Sequence, residues 1–224
     1  MKGVSDWKTK EACRDFDTVE EHDTIIVDNI NKNVKADDHL WHIGDFTMGG
    51  ANSIWEFRKR IICKNIHIIL GNHDHHIKNN RLLDNCHRVS PFSEQIISGP
   101  PDDNYTLVYA QDLFRSVHET FTRKFADVDF VMCHYAMRTW NNSWKDSIML
   151  YGHSHGNLPE YQEFAQDKEN PALYVKTGKL YKTMDVGVDS ALMYLGDMRP
   201  FHSSEIFDIM AKRYSMGIDR KEDE

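Results

Sequence analysis

The stretch that most limits what this chain can fold into is Ile66-His67-Ile68-Ile69-Leu70-Gly71-Asn72-His73-Asp74-His75-His76. An apolar, β-branched run stops at a glycine, and side chains able to bind a metal or move a proton follow at once. Such a run is too short for a buried helix and reads as an interior strand that delivers polar chemistry to a loop. The same punctuation recurs. Leu40-Trp41-His42-Ile43 ends at Gly44-Asp45, Val128 to Cys133 ends at His134, and Ser147 to Tyr151 ends at Gly152-His153-Ser154-His155-Gly156. In sheets fed by parallel strands, loops leaving the carboxyl ends converge on one edge, so these four strand ends are expected to build one site.

The remaining pattern supplies the scaffold. Thr18 with Glu21 forms a capping-box signature ahead of Val19, Ile25, Ile26, Ile30 and Val34, which predicts a helix to about Asn33. Ser53 reads as the N-cap of a second helix with Ile54, Phe57 and Ile61 inward. That helix joins the strand at Leu40 to the strand at Ile66, and a right-handed crossover makes the two parallel. Gln95 to Ser98 and Tyr105 to Tyr109 read as antiparallel strands about a Gly99-Pro100-Pro101 turn, while 111–125 fits helix or strand. Leu173 to Val175 and Met184 to Asp189 read as strands, and Ser203 to Tyr214 as a closing helix.

With 224 residues and 40% hydrophobic residues, one domain over 1–224 with a substantial core is expected. Lys and Arg total 27 against 35 Asp and Glu, a formal charge of −8, which argues against an overall nucleic-acid surface. The cysteines, Cys13, Cys63, Cys86 and Cys133, lack any CxxC spacing and suit reduced thiols. Without a signal-like start or a membrane-length apolar run, the expectation is a soluble, cytoplasmic protein with no membrane partner.

Asp45, Asn72, His73, Asp74, His134, His153 and His155 offer oxygen and imidazole but no thiolate. That donor set suits a hard-to-borderline divalent ion: Mn²⁺ first, with Fe²⁺, Zn²⁺ or Ni²⁺ as the other candidates. A carboxylate can bridge two ions, and two-metal centres activate water for in-line phosphoryl displacement.

Gly44-Asp45, Gly71-Asn72-His73-Asp74, His134 and Gly152-His153-Ser154-His155, in that order, resemble the calcineurin-like metallophosphoesterases, short bacterial and phage members above all. The likeness runs from about Phe16 to about Asp189. It implies an α/β (α+β) fold, a two-layer β-sandwich flanked by helices in a four-layer architecture. It also implies roles. Asp45 would bridge two ions, Asn72, His134 and His153 would complete the second, and His155 would serve the first. His73 would act as general acid, with Asp74 orienting it. The family opens on an Asp-x-His strand that this chain lacks ahead of Phe16, where Ser5-Asp6-Trp7-Lys8 offers one aspartate and no paired histidine. One tight ion site and one weak or empty site are therefore expected.

The expected activity is metal-dependent hydrolysis of phosphomonoesters or phosphodiesters, on a phosphorylated small molecule or nucleotide rather than nucleic acid. The competing expectation is a catalytically silent binding scaffold of the same fold. Arg138, on the loop after His134 with Trp140 and Trp144, is the candidate for holding a phosphate oxygen, since guanidinium can grip it with two donors. His75 and His76 are read as solvent-exposed bystanders.

Overall fold

The computed structural model describes residues 14, 16–90, 92–100, 107–158, 162–166, 174–180 and 182–219, with backbone alone for 162–166, 174–180 and 214–219. In chain order come α1 (Val19–Asn33), β1 (His39–His42), α2 (Ala51–Arg58), β2 (Asn65–Ile69) and the one-turn α3 (His75–Lys78). Short ribbons follow: β3 (Leu82–Leu83), β4 (Cys86–Arg88), β5 (Ile96–Ser98) and β6 (Val108–Tyr109). The second half holds β7 (Ser116–His118), β8 (Thr120–Phe125), β9 (Val128–Cys133), β10 (Ile148–Tyr151), β11 (Gln162–Gln166), β12 (Tyr174–Leu180) and β13 (Thr183–Asp185). Helices α4 (Val188–Leu195) and α5 (Ser203–Asp219) close the chain.

Two sheets carry the molecule. The first runs β1-β2-β7, all parallel, with Leu40 opposite Ile66 and Ile68 opposite Val117. The second runs β13-β10-β9-β8, parallel except for the antiparallel β8–β9 pair. The period-two alternation of strands decides which side chains go where. Leu40, Ile66 and Ile68 face a helical layer containing Val27, Ile30 and Ile54. Trp41 and Ile69 turn to the opposite side and share a cluster with Phe130, Met132 and Leu150 of the second sheet and Ile206 and Met210 of α5. Val131, Cys133, Met149 and Tyr151 cover the far face with Trp140. A sheet packed on a sheet with helices outside is the architecture the resemblance implies, and the parallel β1–β2 pair is the crossover expected of a strand-helix-strand unit.

Thr18 does cap α1, its hydroxyl accepting from the Glu21 N–H at 3.0 Å, but the Glu21 carboxylate turns to the Asp17 N–H at 3.0 Å instead of closing a full box. The second helix begins at Ala51 after Gly50, so Ser53 lies inside it and is no N-cap. Among the described residues, the segments around 95 and 108 do not pair with each other. β5 takes β4 as its partner and β6 takes β3, both antiparallel. The ambiguous segment 111–125 becomes a 3₁₀ turn (Ala110–Leu113), β7 and β8. Strand β13 stops at Asp185, and the Asp189 placed at a strand end in sequence sits in the first turn of α4 instead. Trp140 is core, 6% exposed, with its indole N–H on Ser147 Oγ at 2.9 Å, whereas Trp144 is exposed. Cys63, Cys86 and Cys133 are buried free thiols. Ser5 to Lys8, Cys13, the turn at Pro101 and Leu173 lie outside the described residues. No described helix is long and apolar enough to cross a membrane.

Candidate metal centre

Strands β1, β2, β9 and β10 end at a common edge, and the residues just beyond them meet there. His134, buried at 2% exposure, is the hub. Its Nδ1 lies 2.8 Å from the Ile43 carbonyl, which can only accept, so Nδ1 carries a hydrogen and the neutral ring keeps its lone pair on Nε2. Around that Nε2 stand Asn72 Oδ1 at 3.1 Å, His153 Nδ1 at 3.2 Å and Asp45 Oδ2 at 3.4 Å. Asp45, His134 and His153 each offer a ligand atom within 4.8 Å of the others. Four groups that donate electron pairs converge with too few hydrogens among them to share. Such an arrangement repels itself unless a cation or an added proton sits in the middle. The donor set and its convergence fit a divalent ion.

Electrostatics agrees. Burial works against charging His134, but the hydrogen bond and charge of Asp45 and the Ile43 carbonyl outweigh it and hold the imidazole above its ordinary value. Burial likewise opposes ionisation of Asp45, and His134 together with the His73 N–H pulls its carboxyl below the usual range. His153 is pushed down by burial and by the neighbouring His134. A raised His134 pKa means that protons compete with a cation for its Nε2.

The backbone beneath this centre is unusual. Asp45 has φ of 57°, His153 of 62° and His155 of 51°, in the left-handed region that non-glycine residues seldom adopt. Gly44, at φ 88°, precedes the first of them, and a Cβ there would collide with the His134 ring and stand 2.8 Å from Gly71 Cα. Asp74 holds the two loops together. Its carboxylate, 3% exposed, accepts from the N–H groups of Asp45 at 2.7 Å, Phe46 at 2.8 Å and Gly71 at 2.8 Å. Asp74 thus points into backbone, a different position from the one beside His73 that the resemblance implied. It also caps nothing, because α3 starts without a side-chain cap bond.

His73 is exposed, its N–H donating to Asp45 Oδ1 at 2.9 Å, and it lines a shallow recess with Thr47, Gly49 and His76. His155 stands apart from the convergent group: its Nδ1 lies 2.8 Å from Asp189 Oδ2. Arg14 grips the same carboxylate with Nε on Oδ1 and Nη2 on Oδ2, both at 2.8 Å. Burial pushes Asp189 up, yet its bonds to His155 and Arg14 bring it to about 2. Neither Asp189 nor Arg14 was a candidate from sequence, and neither carries a local signal. Tyr135 carries no such signal either. Half-exposed, it packs edge-on against His134 at 5.0 Å and His153 at 4.8 Å between ring centroids. Arg138 is exposed on the same loop.

The calcineurin-like phosphoesterase superfamily domain matches residues 21–195. The chain belongs to that superfamily. No curated protein matches it. Among solved structures, a protein of unknown function from Aquifex aeolicus is similar at 14% identity and a TM-score of 0.47, over 86% of this chain and 87% of that one.

Proposed function

We propose that this chain hydrolyses phosphomonoesters or phosphodiesters of small molecules or nucleotides, with one divalent ion held tightly by Asp45, Asn72, His134 and His153. The observation that carries this reading is the meeting of four electron-pair donors around His134 Nε2. An ion bound there would supply Lewis acidity toward a phosphoryl oxygen and lower the pKa of water. The chain's own groups do the rest. Asp45 contributes negative charge and takes up the His73 N–H, which fixes the loop carrying His73. His73, exposed at the mouth, donates a proton to the departing oxygen. Arg138 neutralises a non-reacting phosphoryl oxygen, and the edge of Tyr135 limits how the two ligand histidines can tilt. His155 has its Nδ1 held by Asp189 and leaves Nε2 for a second ion, but the Arg14 guanidinium 3.3 Å from that ring sets a positive charge beside it, so a further ion binds more weakly than the first.

The test is hydrolysis of p-nitrophenyl phosphate and bis-p-nitrophenyl phosphate by protein stripped with chelator and reloaded with Mn²⁺, alongside metal analysis of the purified chain. Turnover that vanishes on stripping and returns on reloading, with one tightly retained ion per chain, is expected. Folded protein inert toward both compounds would leave the scaffold role in its place, and two tightly retained ions would remove the single-site reading.

A further inference from the structure

The centre described above leaves one buried polar network unused, and it reaches the site from the opposite end of the chain. Asp189, in the first turn of α4 and 1% exposed, is saturated: Arg14 Nε donates to Oδ1, while Arg14 Nη2 and His155 Nδ1 both donate to Oδ2 at 2.8 Å. An ionised carboxylate only accepts, so His155 Nδ1 must carry a hydrogen. The 3.3 Å approach of Arg14 Nη2 to that same Nδ1 is then two donors converging on one oxygen. Behind Arg14 the pattern repeats. His22 Nδ1 donates to Asp23 Oδ1 at 2.8 Å, which leaves His22 Nε2 to accept from Arg14 Nη1 at 3.3 Å. Each proton position follows from the one before it.

We propose that Asp189 is a positioning residue for His155, fixing the ring's orientation and its Nδ1–H tautomer, which leaves the lone pair on Nε2, and that Arg14, backed by His22, holds the Asp189 carboxylate in place. Four separate pieces of the chain supply this relay: α1, residue 14, the Gly152–Gly156 loop and α4. The loop itself needs outside help, because His153 and His155 both sit at positive φ. Asp185 accepts from the Gly156 N–H at 2.9 Å and the Gly187 N–H at 2.8 Å, tying the loop backbone to the entry of α4. Asp185 fixes the main chain, and Asp189 fixes the ring. A His whose far nitrogen is held by a carboxylate keeps one tautomer and one orientation, and loss of such a partner lowers activity or affinity about 10–100-fold.

The inference rests on the hydrolase reading for its catalytic consequence, but its first test does not. Nitrogen NMR of metal-free protein reads the His155 tautomer directly. Nδ1–H in the unaltered chain, and a shift toward Nε2–H in Asp189→Asn, is expected; an Nε2–H ring in the unaltered chain overturns the proposal whether or not the protein turns over any ester. Asp189→Asn should also lose about 10–100-fold in turnover while binding one equivalent of Mn²⁺ as the unaltered chain does by calorimetry. Loss of that first ion together with turnover would mark Asp189 as merely structural and sink the idea. In a His155→Asn background the further change at Asp189 should have no added effect, since it acts through the ring that has gone. Additive losses would show that Asp189 acts by another route.

Discussion

At the scale of single residues, the centre divides into groups that hold charge and groups that move protons. Asp45, Asn72, His134 and His153 gather lone pairs, whereas His73 is tied only by its backbone and keeps its imidazole exposed. His73→Ala is therefore expected to lower turnover about 10²–10⁴-fold with retained metal unchanged, measured on the same preparation by ester hydrolysis and metal analysis. Retained turnover would remove His73 from the mechanism. Competition between protons and an ion at His134 gives a pH dependence at the same scale. Because His134 is held above its ordinary value, protons compete with the ion over a wider range than for a free imidazole, and affinity for Mn²⁺ should fall steadily as pH drops through that raised value. Calorimetric titration at successive pH values measures it, and a flat affinity would place the ion elsewhere.

Between elements, the decisive contacts join loops that follow different strands. Asp74 is the main one. Its carboxylate receives three N–H groups, two from the loop after β1 and one from its own loop, and so sets the distance between Asp45 and Asn72. Asp74→Asn replaces one acceptor oxygen by an N–H donor aimed at backbone donors in a buried place. A loss on the order of 2–4 kcal/mol in folding stability is expected from denaturant unfolding. Weaker Mn²⁺ binding should accompany it, because the strained Asp45 backbone is no longer held. A variant as stable as the parent would show that the two loops are fixed by something else.

For the whole molecule, one seat of acid sensitivity lies away from the centre. His67, on β2, stacks on Trp41 at 4.3 Å between centroids and shares hydrogen bonds with His39 at 2.8 Å and Ser116 at 2.7 Å. Burial first, then the nearby His39, Arg123, His118 and Arg115, lowers it to about 4. An unfolded chain takes up that proton near the free imidazole value of about 6.5, so between the two values the unfolded state binds more protons. The contribution is complete above the higher value and disappears as pH falls toward the lower, up to about 3 kcal/mol in all. His67→Phe, which keeps an aromatic ring against Trp41 but cannot titrate, should flatten the stability profile between pH 6.5 and 4. An unchanged slope in denaturant midpoints across that window would assign the sensitivity to other groups.

What the sequence determined by itself was everything that a strand and the residue after it can encode. Apolar runs ending at Gly44, Gly71, His134 and Gly152 are local signals, and the parallel pairing of β1 with β2 follows from the helix between them. Asp45, Asn72, His134 and His153 were legible for that reason. Tertiary structure decided what depends on approach between distant segments. Asp74 turned to the backbone, His155 went to Asp189, and Arg14 crossed to a carboxylate 175 positions away. Asp189 reads in sequence as the end of a strand, and only the fold puts it in the first turn of α4. Positive φ at Asp45, His153 and His155 was equally hidden, since no glycine stands at those positions to announce it. Periodicity reports which face a side chain takes, but hydrogen-bond partners across a fold are chosen by packing that no local pattern encodes.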